Sequence, residues 1–445
     1  WGYAKSGDTV NKNSCDFNPT TNIDLRLCWH TSSTGIDGGY RVGANTSLGA
    51  GWTRAIFQSS GGGSNGNMKN DQIFTSQPII TIQDQDGNTC TTGSDATANV
   101  VATMADGLAG TATKAAVGGV ATFTDLKYTG LVGSKTIAYT LQNTAVTTNE
   151  TFTVIPGTAN KLGVKVAGAG AVNGVAFTTQ PQIYVQDVSG NTVTDSTASV
   201  AVAVTGPTLG GTSSVAAVSG VTTFAGLSLT GTVGTYTLTY TSTGLTQTSQ
   251  SIDLAPGTAT KLAIKTQAAG FVNRTNFTTQ PEIYIQDASG NTVTSSTASV
   301  LVSIDTGTLT GTRTVAAVNG VVTFAGLGKT GTIGSKTLDF TSTGLTHVTQ
   351  TFVLTHGAAT QLVISTQASG AQAGIVFGTQ PVLQIRDADN NVVTTGAEST
   401  LTARASSTNG TLTGTTDKQA VAGVITYTNL MLSNTTGSYN LSFGL

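Results

Sequence analysis

Apolar and polar residues alternate in short runs along this chain, and the same runs return at a fixed interval. In PEIYIQD, Ile283 and Ile285 alternate with Glu282, Tyr284 and Gln286. That period of two belongs to a strand with one face buried. A turn, ASGN, follows, then TVTSSTASVLVSI, then GVVTFAGL, a strand closed by Gly326, then KTLDFTST and THVTQTFVL. Seven or so short strands with turn signals every eight to twelve residues predict a β-sandwich.

The interval is about 100 residues. IFTSQPIITIQDQDGNTCT (73–91), FTTQPQIYVQDVSGNTVT (177–194), FTTQPEIYIQDASGNTVT (277–294) and FGTQPVLQIRDADNNVVT (377–394) share one phrase, with prolines at Pro78, Pro181, Pro281 and Pro381. Such a repeat sets the architecture before any single residue does. Each proline falls at a strand start, where its missing N–H does least harm. IPGTANKL (155–162), APGTATKL (255–262) and THGAATQL (355–362) mark the joints. They are short enough to predict a semi-rigid rod. The expected units are 51–156, 157–256, 257–356 and 357–445, after an N-terminal segment, 1–50. Unit one aligns once four residues are inserted near the glycines of WTRAIFQSSGGGSNGNMKNDQIFTSQP (52–78).

Composition narrows the function. Of 445 residues, 9% are charged and the net charge is −2, which leaves no basic surface for nucleic acid and no charge run for an anionic membrane. No apolar run reaches the length of a membrane span. Gly (55 residues), Thr, Ser, Ala and Val dominate, which suits strands and turns. Cys15 and Cys28, in SCDFNPTTNIDLRLC, are spaced for a local disulfide. The pair implies an oxidising compartment, and Trp1 rather than Met at the start fits either a processed, exported chain or a trimmed piece of a longer one; a secreted, extracellular or cell-surface protein is expected. Cys90 aligns with Val193, Val293 and Val393 and is expected to behave as a small buried hydrophobe.

The phrases TTQP, VQDxSGNTV, GVxTFxGL and GTYTLTYTSTGL resemble the tandem immunoglobulin-like domains of bacterial surface proteins, the invasin/intimin and large-adhesin type. The resemblance covers about 51–445. It implies an all-β chain of four sandwiches in a rod. Such modules serve as stalks, adhesins, surface-layer parts and filament subunits.

Candidate chemistry is sparse. Asp84, Asp86 and Asn88 in DQDGN, and Asp387, Asp389 and Asn391 in DADNN, place oxygen ligands at alternate positions, as calcium loops do. The middle units read DVSGN and DASGN and lose the second carboxylate, and the competing reading is an Asx-stabilised turn. GGSNG (62–66) fits a nucleophile elbow in letters only, because no helix follows it. The three histidines, His30, His347 and His356, are scattered. No enzyme and no cofactor is expected. Sequons stand at Asn45, Asn149, Asn273, Asn276, Asn409, Asn434 and Asn440. Trp1, Trp29, Trp52, Cys15 and Cys28 all lie near the N-terminus. They form either a head that binds a glycan or a protein, or a mini-domain that packs its own tryptophans.

The final repeat stops early. GSYNLSFGL (437–445) copies GTYTLTYTSTGLTQTSQSIDLAPG (234–257) and GSKTLDFTSTGLTHVTQTFVLTHG (334–357) only as far as the aromatic. Units one to three each go on to an alternating strand, marked by Phe152 and Val154, Ile252 and Leu254, Phe352 and Leu354. Unit four is expected to lack it. Loss of the true C-terminus is one explanation. The other is a strand supplied by another copy, with Trp1, Tyr3 and Val10 meeting Tyr439, Leu441 and Phe443. Such a contact builds a head-to-tail filament.

Overall fold

Alternation, β-branched residues and closely spaced glycines leave the chain little choice but short strands. The computed structural model describes residues 67–84, 87–433 and 436–445, with the backbone of Thr53–Ser59 and four two-residue strands before it. Among the described residues the helical elements are the single 3-10 turns Asp95–Thr97 and Ala397–Thr400, and no helix is long and apolar enough to cross a membrane. Trp1, Tyr3, Val10, Cys15, Cys28, His30, residues 62–66 and Asp86 lie outside the described residues.

Unit two shows the plan. Lys161–Val166, Gln182–Gln186 and Val221–Thr223 form one antiparallel sheet. Thr248–Ala255, Gly234–Thr241, Ser199–Ala203 and Ser214–Ala216 form the other. A register shift between Val164 and Val166 marks where the first strand leaves its sheet. The chain then crosses to the second sheet, and Ala171–Val172 lies parallel to Thr248–Ala255. Thr208–Gly210 and Ser228–Thr230 add a small ladder. The strands are therefore more numerous and shorter than the sequence pattern predicts, because two- and three-residue pieces pair between glycines.

Ile283 and Ile285 are fully buried, as alternation requires. In each unit the Phe or Tyr of the GVxTF-type phrase meets the aromatic of the strand after it. Phe123–Tyr139, Phe224–Tyr240, Phe324–Phe340 and Tyr427–Phe443 all have ring centroids 5.7–5.8 Å apart, in tilted contact worth more than area burial alone. The hairpin before each phrase is tight. Ser219 and Gly220 both have positive φ (50° and 72°), and a Cβ on Gly220 would meet the Val193 carbonyl.

The TQP phrase has a structural cause. Gln280 donates from Nε2 to the carbonyls of Phe277 and Leu327 (2.9 and 3.0 Å) and accepts from Leu327 N at Oε1 (2.8 Å). Gln77, Gln180 and Gln380 make the same three bonds. One side-chain amide thus stands in for a missing strand neighbour. Gln280→Ala is expected to cost about 1–3 kcal/mol, because it leaves Leu327 N–H without its acceptor. Chemical denaturation checks this, and an unchanged midpoint contradicts it.

Unit three carries a lysine in its core. Lys329 is 0% exposed where the other units have Tyr128, Leu229 and Leu432. Its Nζ donates to the Thr330 carbonyl. Burial, then the nearby Lys336, push its pKa down. Lys329→Leu, which restores the unit-two residue, is expected to stabilise the chain by about 1–3 kcal/mol. A loss of stability would mean that the ammonium is better solvated than this packing allows.

Cys90 is half-buried against the unit-one core rather than fully enclosed like its valine counterparts. Burial, with Asp95 and Asp84 nearby, pushes its thiol pKa up.

The clasped joints and the edge of unit four

The joints are where polar side chains converge. Between units two and three, Asn173 Nδ2 donates to Asp287 Oδ2 (2.8 Å), as does Gly257 N of the linker (2.9 Å). Asn291 Nδ2 reaches back to the Gly231 carbonyl (2.8 Å), while its Oδ1 accepts from Val233 N (2.9 Å). Asn173 Oδ1 accepts from Gly231 N (2.9 Å). Asp287 Oδ1 holds the Asn291 N–H within its own loop (2.9 Å). Asn173, Asp287 and Asn291 are buried. Each joint is thus a clasp: an Asn at the trailing end of one unit, an Asp and an Asn at the leading end of the next.

The other two joints repeat it bond for bond. Asn70, Asp187, Gly157, Asn191, Gly130 and Val132 build the first at 2.8–3.0 Å. Asn273, Asp387, Gly357, Asn391, Gly331 and Ile333 build the third at 2.8–3.1 Å. The third adds a charged fork. Arg274 Nε and Nη2 grip Asp389 Oδ2 and Oδ1 at 2.9 and 2.8 Å, a bidentate geometry only Arg provides.

Burial opposes ionisation of Asp287, but the bonds from Asn291, Gly257 N and Asn173 outweigh it and hold its pKa down at about 2. Asp187 and Asp387 are lowered in the same way. Asp389 is held well below the usual carboxylate range, chiefly by Arg274.

These findings place the calcium candidates. Asp387 and Asn391 are parts of the third clasp, and Asp389 faces Arg274. Asp84 accepts from Asn88 N (3.0 Å). The donors aimed at the Asp387 and Asp389 oxygens are N–H groups, which is hydrogen-bond chemistry. Among the described residues no group of three or more His, Cys, Asp and Glu could hold a metal. The sequon at Asn273 is buried in its clasp. His347 pairs with Asp339 (2.7 Å). His356 replaces the linker proline of the other joints; its Nε2 accepts from Thr395 N (3.1 Å) beside a cavity lined by Val272, Thr355 and Glu398. Sequence reasoning missed Asn70, Asn173 and Asn273, although their recurrence a few residues before each TQP phrase was a visible signal.

Unit four differs at its last strand. Leu441–Gly444 pairs with Thr402–Ser407, and among the described residues no strand lies on its other side. Leu338 and Phe340 of unit three are fully buried, whereas their counterparts Leu441 and Phe443 are only half-buried, as is Tyr439. Leu362 and Ala368 are also partly uncovered, where Leu262 and Ala268 are buried. In unit three the missing cover is Val348–Leu354, whose Gln350 exchanges two bonds with the Ala268 backbone (3.0 and 2.8 Å). Unit four also breaks the clasp pattern. Ala373 stands where the other units have Asn70, Asn173 and Asn273, and Asn434 where they have Gly130, Gly231 and Gly331.

Sheet order and repeated core together make the chain an all-β tandem of immunoglobulin-like sandwiches. No protein-family model matches it, and no curated protein sequence does. Among solved structures it is similar to invasin, a bacterial integrin-binding protein (15% identity, 86% of this chain and 74% of that chain covered, TM-score 0.31). It is also similar to FdeC, an Escherichia coli adhesin (18% identity, 70% and 99% covered, TM-score 0.29). A third similar structure is protocadherin gammaB7 EC3-6 (10% identity, 87% and 95% covered, TM-score 0.32).

Proposed function

We propose that this chain is a non-enzymatic extracellular rod, the stalk of a cell-surface protein, whose units are locked in line by Asn–Asp clasps and not by bound calcium. One observation carries the reading: five bonds recur at each of three successive joints, and three of the five cross from one unit to the next. A short linker alone leaves neighbouring domains free to swing. A buried clasp fixes their angle, because each swing exposes unpaired polar groups. Negative-stain images are expected to show straight rods in buffer and in EDTA alike. Asn173→Ala is expected to introduce one bend, between units two and three. Straight Asn173→Ala rods, or wild-type rods that need calcium, would overturn the reading.

A second reading is favoured by the open edge of unit four. There another copy adds an extended strand over Leu362, Leu441 and Phe443, and the copies run head to tail as a surface filament. Residues 1–12 of that copy, with Trp1, Tyr3 and Val10, are the donor. Strand addition supplies ladder bonds and side-chain burial together, and it quenches an edge that otherwise invites aggregation. Deleting residues 1–12 is expected to abolish fibres. Normal fibres from that deletion, or a longer native chain that fills the edge itself, would refute the donor tail.

A further inference from the structure

We propose that Lys329 and Lys336 of unit three form a binding site for a small inorganic oxyanion, phosphate or sulfate, beneath the loop 305–307.

Two buried ammonium groups meet there with no carboxylate between them. Lys329 is 0% exposed and Lys336 8%. Lys336 Nζ donates to Thr306 Oγ1 (3.0 Å). Lys329 Nζ lies against the next residue, in the place that a Cβ on Gly307 would take, and close beside Gly331. Its acceptor among the described residues is the Thr330 carbonyl. Among those residues neither lysine forms a salt bridge, and the Asp305 carboxylate accepts from Thr306 N instead (2.7 Å). Burial first, and then the charge of Lys336, lowers the Lys329 pKa, with Asp389 and Asp305 opposing. Each ammonium carries three N–H groups and spends one on a neutral oxygen, which leaves two apiece in a nearly closed place. Burying charge in that way is costly unless a counter-charge rich in lone pairs joins it. An oxyanion turns its oxygens to all of these donors at once.

Unit one shows what the site lacks. There Tyr128 holds the place of Lys329 and Lys135 that of Lys336, while Asp106, before Gly107, stands for Thr306, before Gly307. The Asp106 carboxylate accepts from Lys135 Nζ and from the Tyr128 hydroxyl, both at 3.2 Å. Unit three replaces that carboxylate by a neutral hydroxyl and the phenol by a second cation. Units two and four have Leu229 with Tyr236 and Leu432 with Tyr439, and so no lysine at either place. The oxyanion does in unit three what Asp106 does in unit one. With both ammonium groups buried, a free ion fits and an ester on a larger molecule does not.

Hydrogen exchange of the intact chain, in inorganic phosphate against chloride at equal ionic strength and neutral pH, tests this. Phosphate is expected to slow the amides of 305–308 and 329–336 several-fold more than those of 205–208 and 229–236 in unit two, which gauge the general stabilising action of the salt. Lys329→Leu and Thr306→Asp are each expected to remove the difference, the first by deleting a cation and the second by supplying the carboxylate of unit one. Equal slowing in both units, or none in either, would mean that water alone serves the two lysines and would overturn the proposal. So would a difference that survives in either variant.

Discussion

Asp287→Ala is expected to cost about 3–5 kcal/mol and to uncouple units two and three. The buried carboxylate accepts from Asn173, Gly257 N, Asn291 N and the Asn291 side chain. Its removal strands those donors in a site closed to water, which is the expensive way to break a polar network. Asp287→Asn is the milder probe, since it keeps one acceptor oxygen but turns the other towards N–H groups. Acid should act like a weak form of the same change. The folded-state pKa, about 2, lies below the usual value near 3.9. The stabilisation is therefore complete above about pH 4 and is lost as pH falls towards 2. Denaturation midpoints for the wild type and the variant, taken at pH 7 and pH 3, check both statements. A variant with the wild-type midpoint at pH 7 would contradict the first.

Phe352→Ala is expected to cost about 3–5 kcal/mol. Phe352 stacks on Phe271 (3.9 Å between centroids) and meets Phe277 edge-on (5.9 Å). It is 6% exposed in the middle of the strand that closes unit three. Truncation opens a cavity between three rings that cannot easily collapse, because the strand Val348–Leu354 and the isolated bridges at Val272 and Asn276 hold their backbones. Val353→Ala, one residue on and 64% exposed, is expected to change stability by less than about 0.5 kcal/mol. Urea unfolding of both variants separates the faces, and equal effects would mean that the strand is not seated as described.

Much of this was legible in the sequence, for a physical reason. A strand with one buried face must alternate, so Ile283 and Ile285 announced their burial. Four copies of one phrase made the strand after each TQP or SQP visible four times. The recurring asparagines were visible, but their partners were not, because the clasp joins residues far apart in the chain, such as Asn173 and Asp287. Read locally, Asp387 and Asn391 look like an Asx turn or a cation loop; the Asp387–Asn391 bonds within the loop are indeed of the turn kind. Their partners, Asn273 and Gly331, belong to the unit before. Cys90 misled in degree for a similar reason: alignment to Val193 gives the position of a side chain, not how well its neighbours close over it.

Small-angle scattering of the intact chain at neutral pH tests the central claim most directly. Units of roughly 35–45 Å each, locked end to end by three clasps, should give a maximum dimension well over about 120 Å and the profile of a stiff rod. That profile should broaden in an Asn70→Ala, Asn173→Ala, Asn273→Ala triple variant. A compact particle, or a triple variant as stiff as the wild type, would contradict the account.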